Sequence, residues 1–141
     1  MIPLSLKERV DAIEECYEFM LAYAAQGLPG DAGSSSGSQL RQLLGRAVDA
    51  LSRLAEEYVA AVRQDSLEPA ARYQAFLAVL ARDAGDSLAA LELVRAQPTL
   101  SSQLIDNLNA SIHLRALLTD IFLIDEILRL RNPASNAVSS E

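Results

Sequence analysis

The sequence predicts an all-α protein folded as an antiparallel four-helix bundle. Half of the 141 residues are hydrophobic, only 5% are aromatic, and Ala and Leu dominate, a composition that favours helices over sheets. Apolar residues recur at helical spacing in four segments of about 22 to 32 residues. Two of the connections between these segments are short, as in bundles. The length suits a single domain with a sizeable core.

The first predicted helix begins at Ser5, where Ser5 and Glu8 have the spacing of a capping box. The apolar residues that follow, up to Ala24, fall within one stripe of the helix. A second apolar strip flanks this stripe, and we expect it to pack either in the core or at a subunit interface. The candidate interface residues are Cys16, Phe19 and Tyr23 of this strip and Ile121 of the last predicted helix.

Residues 27–38 are rich in Gly and Ser and predict a flexible, solvated loop. A second helix is predicted from about residue 38 to 66. A turn ending at Pro69 leads into the third, predicted to run to about residue 97. Gly85 can end a helix and Asp86 can cap the next one, so we expect this third helix to be broken near Gly85.

The last helix is predicted to run unbroken from Thr99 to Arg131, because Pro133 forbids continuation just beyond it. Its apolar residues lie on nearly all sides, which is typical of a central helix with packing partners all around. Residues 132–141 are small and polar and predict a disordered tail. The predicted domain is therefore 1–131.

Charge and composition indicate which kinds of partner and which cellular compartment to expect. The formal net charge is −7, which argues against binding to nucleic acid or to an anionic membrane. Cys16 is the only cysteine, so no disulfide within the chain is possible, as expected in a reducing compartment. No uncharged apolar run reaches the roughly 18 residues of a membrane span, and the first residues lack the order of a signal peptide. We expect a cytoplasmic protein.

A polar strip on the last helix supplies the candidate ligand-binding residues, which are Asp106, Asn109, His113 and Asp120. They fall within about 60° of one another on a helical wheel. The strip could be the solvent face, a buried hydrogen-bonded strip that fixes register, or a ligand site in which His113 acts as a base beside a carboxylate. Each Asp lies seven residues from His113, about 10.5 Å along the helix, which argues against direct pairing.

Other chemistry has little support in the sequence. The single His and single Cys cannot form a zinc site, and we expect no metal or cofactor. The acidic neighbours of Cys16, such as Glu15, disfavour a reactive thiolate. These features favour a non-enzymatic helical-bundle protein, an interaction or regulatory module that forms a homodimer or binds another protein. The alternative is a small-molecule-binding or catalytic bundle with a polar pocket around His113.

Overall fold

A computed structural model describes residues 4–131, and these contain six α-helices and no strand. The helices are α1 (Leu6–Ala24), α2 (Ser35–Leu51), α3 (Leu54–Gln64), α4 (Ala70–Arg95), α5 (Ser102–Ala110) and α6 (His113–Arg131). The predicted all-α class is confirmed, whereas six helices replace the predicted four. The predicted tail, 132–141, lies outside the described residues. No helix in the described part of the chain is long and apolar enough to cross a membrane.

The predicted start of the first helix is confirmed in detail. The backbone N–H of Glu8 donates to Ser5 Oγ at 3.1 Å, and the backbone N–H of Ser5 donates to Glu8 Oε1 at 3.0 Å. This reciprocal capping box satisfies two N–H groups that have no partner within the helix.

The predicted second helix is wrong as one unit, because it is split into α2 and α3 at Ser52 and Arg53. The buried Arg9 of α1 explains the split. Its Nη1 donates to the backbone oxygens of Asp49 at 3.1 Å and Ala50 at 3.2 Å. The guanidinium thus binds carbonyls at the end of α2, where the helix dipole favours positive charge. The helix also begins earlier than predicted, because Ser34 Oγ accepts from the N–H of Gly37.

The predicted break near Gly85 is also wrong, because α4 is one continuous helix. Gly85 is exposed, and a Cβ added there would meet nothing within 4 Å. A glycine inside a helix costs about 1 kcal/mol relative to alanine. The buried side chains of Leu80 and Leu91, before and after Gly85, outweigh that cost.

The predicted unbroken last helix is wrong as well, because α5 and α6 are separated at Ser111 and Ile112. Ile112 has a φ of 62°, a left-handed conformation that ends the helix. The break lets α5 pack on α1 while α6 packs mainly on α4. The apolar residues on several sides of this segment are thus buried by two different neighbours.

We expect Ile112→Gly to raise the free energy of unfolding by about 1 kcal/mol, because a β-branched residue is strained at positive φ. Ile112 is 57% exposed, so little burial is lost with its side chain. Urea denaturation monitored by circular dichroism measures the change. The matched control, Leu93→Gly, replaces an exposed residue inside α4 and should instead lower stability by about 1 kcal/mol. Equal destabilisation by both substitutions would contradict the strain at Ile112.

The connector between α1 and α2 makes specific hydrogen bonds, although its flexibility stays a prediction. Asp31 Oδ1 accepts from the backbone N–H of Leu100 at 2.7 Å, and Oδ2 accepts from Arg41 Nε at 2.8 Å. Arg41 also donates to the backbone oxygens of Arg95 and Gln97. The connector is thereby tied to the end of α4 and to the segment before α5.

Candidate functional site

The break between α5 and α6 divides the predicted polar strip. Asp106 is exposed on α5, and His113 is exposed as the first residue of α6. Neither side chain lines the clefts described below. Their positions agree with the solvent-face interpretation of the strip, and the geometry gives no imidazole–carboxylate pair.

Asn109 instead ties α5 to α1. Its side-chain amide donates to the backbone oxygen of Met20 at 3.2 Å, and its Oδ1 is buried without a hydrogen-bond partner among the described residues. A half-buried amide that binds a main-chain carbonyl of another helix holds the two helices in register.

Asp120 faces α4, where its carboxyl group meets that of Asp83. Burial, the hydrogen bond to Asp83 and the charge of Asp83 together raise the pKa of Asp120 to about 7, and burial is the largest of the three causes. Asp120 Oδ2 is buried and lacks a partner in the described part of the chain. Two adjacent carboxyl groups avoid mutual repulsion by sharing a proton, so this pair joins α4 to α6 best when it holds one.

We expect stability to fall as the pH rises from 5 to 8, and Asp120→Asn to reduce that fall. Because the pKa of Asp120 is raised in the folded state, its contribution is fully present below its unfolded pKa and is lost as the pH passes about 7. Solvent screening of this partly exposed group limits the gain of Asp120→Asn to about 1 kcal/mol at pH 8. Urea titrations at both pH values measure it. The exposed control Asp106→Asn keeps Asp120 and Asp83 and should therefore lose stability from pH 5 to 8 as the native protein does. A gain for Asp120→Asn that is larger at pH 5 than at pH 8 would contradict the shared proton.

A second acidic group lies on the other flank of α6. The buried Tyr58 of α3 donates its hydroxyl hydrogen to Asp125 Oδ1 at 2.7 Å. Burial raises the pKa of Asp125, and burial with the charges of neighbouring carboxylates raises the pKa of Glu14 on α1. No local signal in the sequence indicates this pair, because Tyr58 and Asp125 are 67 residues apart.

The candidate interface residues lie mostly inside the chain. Cys16, Tyr23 and Ile121 are fully buried, and Phe19 is half-buried against the core. Burial raises the pKa of the Cys16 thiol to about 12, which makes it a poor nucleophile. Three of these side chains therefore offer little surface to a partner, and their role at an interface stays a prediction.

The outer face of α6 carries an apolar surface that sequence analysis did not single out. Phe122, Leu123 and Leu130 are 54%, 51% and 67% exposed. Phe76 of α4 and Ile127 are partly buried beside them. We call these five residues the α6 surface. The adjacent Phe and Leu in the sequence are the only local signal for it.

A cleft of about 250 Å³ lies on each side of the α6 surface. The cleft between α1 and α6 includes Tyr17 and Phe122 and carries the acidic Glu14 and Glu18 together with one cation, Arg115. The cleft between α4 and α6 includes Phe76 and Leu123. Its charged lining residues, Arg72 and Arg131, are both basic. The α6 surface is thus flanked by a mainly acidic cleft and a basic one.

Neither cleft has the groups of a metal centre, because no cluster of three or more His, Cys, Asp or Glu side chains within residues 4–131 could hold a metal ion. No protein-family model matches the sequence, and no curated protein or solved structure matches it either. The site is an exposed apolar surface with charged margins.

Proposed function

We propose that this protein is a non-enzymatic interaction module that associates with a second copy of itself through the α6 surface. The observation that carries the proposal is the exposure of Phe122, Leu123 and Leu130 on one helix. Complete burial of one such side chain contributes roughly 1.5–3 kcal/mol. A two-fold interface would bury each of the three side chains twice.

The charges of the two clefts favour one orientation of the copies. A two-fold axis parallel to α6 would place the acidic cleft of each copy opposite the basic cleft of the other, with the two α6 helices parallel. An axis perpendicular to α6 would place Glu14 and Glu18 opposite their own counterparts. Because like charges across an interface are unfavourable, the parallel arrangement is the one we infer.

The contacts between helices also support a bundle of four helical arms. The first arm is α1, the second is α2 followed by α3, the third is α4, and the fourth is α5 followed by α6. We infer that neighbouring arms are antiparallel. In support, Arg131 near the end of α6 donates to the backbone oxygen of Glu68 before α4, and Asp120 meets Asp83 further along. We place this module in the cytoplasm, where a single buried cysteine such as Cys16 stays reduced.

Light scattering coupled to size-exclusion chromatography at two protein concentrations tests the proposal. We expect the native protein to have the mass of a dimer at the higher concentration, and Leu123→Asp to be a monomer because it buries two charges at the two-fold interface. The control Leu93→Asp changes a residue that is 67% exposed on α4, outside the α6 surface, and should remain dimeric. A monomeric native protein at both concentrations, or equal masses for the two variants, would contradict the proposal.

The geometry does not favour the alternative of a ligand pocket around His113. That residue is exposed at the first position of α6 and lines neither of the clefts beside the α6 surface.

A further inference from the structure

The other side of α4 holds a cleft that the proposed function does not use. It lies between α3 and α4, has a volume of about 420 Å³, and is bounded at one end by the turn that contains Leu67. Pockets that bind small molecules usually have volumes of about 300–1,000 Å³. We call this the α3–α4 cleft.

Most of the wall of the α3–α4 cleft is apolar. Val59 and Val62 line it from α3, and Leu77 lines it from α4. Ala78 and Ala81 also line it, and their small exposed side chains leave the space between the helices open. A hydrocarbon chain placed there would cover apolar surface that water now contacts, which is favourable in proportion to the area covered.

Two charged groups line the cleft, the guanidinium of Arg63 and the carboxylate of Glu68, and the carboxylate already accepts a hydrogen bond from the backbone. Arg63 lines the cleft, and its guanidinium makes no ion pair or hydrogen bond with any of residues 4–131. Glu68 also lines it, but its Oε2 accepts from the backbone N–H of Ala70 at 2.8 Å. Ser66 and Gln74 add neutral hydrogen-bonding groups. A carboxylate is the natural partner of a guanidinium in this setting.

We propose that the α3–α4 cleft binds a small amphipathic carboxylate, with its hydrocarbon chain between Val59, Val62 and Leu77 and its carboxylate on Arg63. This site is separate from the α6 surface, because the two lie on different sides of α4. The monomeric variant Leu123→Asp should therefore bind the ligand as the native protein does.

Isothermal titration calorimetry with three probes of equal chain length tests the site: decanoate, decan-1-ol and decyltrimethylammonium, each below its micelle-forming concentration. We expect decanoate to bind most tightly. Arg63→Gln should weaken the affinity for decanoate about fivefold, which is the effect expected from the loss of one exposed ion pair. The affinity for decan-1-ol should not change. Tighter binding of the cationic probe would show that Glu68 sets the charge of the cleft and would overturn the proposal.

A steric variant and its control locate the binding. Ala78→Trp fills the cleft from an exposed position, so we expect the native fold and at least a tenfold loss of affinity for decanoate. Ala75→Trp adds the same side chain at an exposed position of α4 that does not line the cleft and should bind decanoate normally. Absence of heat with all three probes, or equal affinities for the two Trp variants, would overturn the proposal.

Discussion

Replacing Asp31 with alanine is expected to lower the free energy of unfolding by about 3 kcal/mol, because two charge-assisted hydrogen bonds are lost together. Its carboxylate accepts from the backbone N–H of Leu100 and from Arg41 Nε, at 2.7 and 2.8 Å. Without it, the N–H of Leu100 has no acceptor. Arg41 also loses the group that orients it toward the carbonyls after α4.

The effect of Asp31→Ala should depend on pH. The hydrogen bond from Arg41 holds the pKa of Asp31 below its ordinary value. The contribution of Asp31 to the free energy of unfolding is therefore fully present above its unfolded pKa of about 4. It is lost as the pH falls through the lower pKa that Asp31 has in the folded protein. Urea denaturation at pH 7 and pH 3 measures the difference. The control Asp49→Ala, at an exposed position of α2, should change stability by less than about 0.5 kcal/mol, and a similar loss for both variants would contradict the role of Asp31.

Ser102→Ala is expected to cost about 2–3 kcal/mol, because it leaves two backbone groups without partners where water is largely excluded. Ser102 Oγ donates to the backbone oxygen of Tyr23 at 2.7 Å and accepts from the backbone N–H of Leu28 at 2.8 Å. The serine is 3% exposed, so water cannot easily replace either bond. It joins the first turn of α5 to the end of α1 and to the connector beyond it.

Thermal and urea denaturation of Ser102→Ala measure this loss. Ser38→Ala is the control, because Ser38 is exposed in the first turns of α2 and should tolerate alanine within about 0.5 kcal/mol. Stability of Ser102→Ala within that margin would show that the connector is not fixed by this serine.

The features that local chemistry determines could be predicted from the sequence. The all-α class follows from composition and helical spacing, and the capping box of Ser5 and Glu8 depends on residues three apart. The helix breaks could not be predicted. The split between α2 and α3 depends on Arg9, which is distant in sequence, and the turn at Ile112 depends on the different neighbours of α5 and α6. At Gly85 the sequence predicts a helix break that does not occur, because packing of the buried residues on both sides outweighs the weak helix propensity of glycine.

The candidate site was predicted only in part, for the same reason. Asp120 and Asn109 stand out as polar residues among apolar ones, but their partners, Asp83 and Met20, belong to other helices. Apolar residues on several sides of α6 predict partners without showing which side stays uncovered. The exposure of Phe122 and Leu123 depends on where α1 and α4 pack, which helical spacing alone does not give.

Cysteine cross-linking at Leu123 tests self-association through the α6 surface most directly. The native Cys16 is buried and should not react, because burial raises the pKa of its thiol to about 12. We expect Leu123→Cys to form a disulfide-linked dimer rapidly under mild oxidation, since residues on a two-fold axis meet their own counterparts. Leu93→Cys, at a position of α4 that is more exposed than Leu123, should stay monomeric on a non-reducing gel. Equal and slow cross-linking of both variants would contradict an interface at the α6 surface.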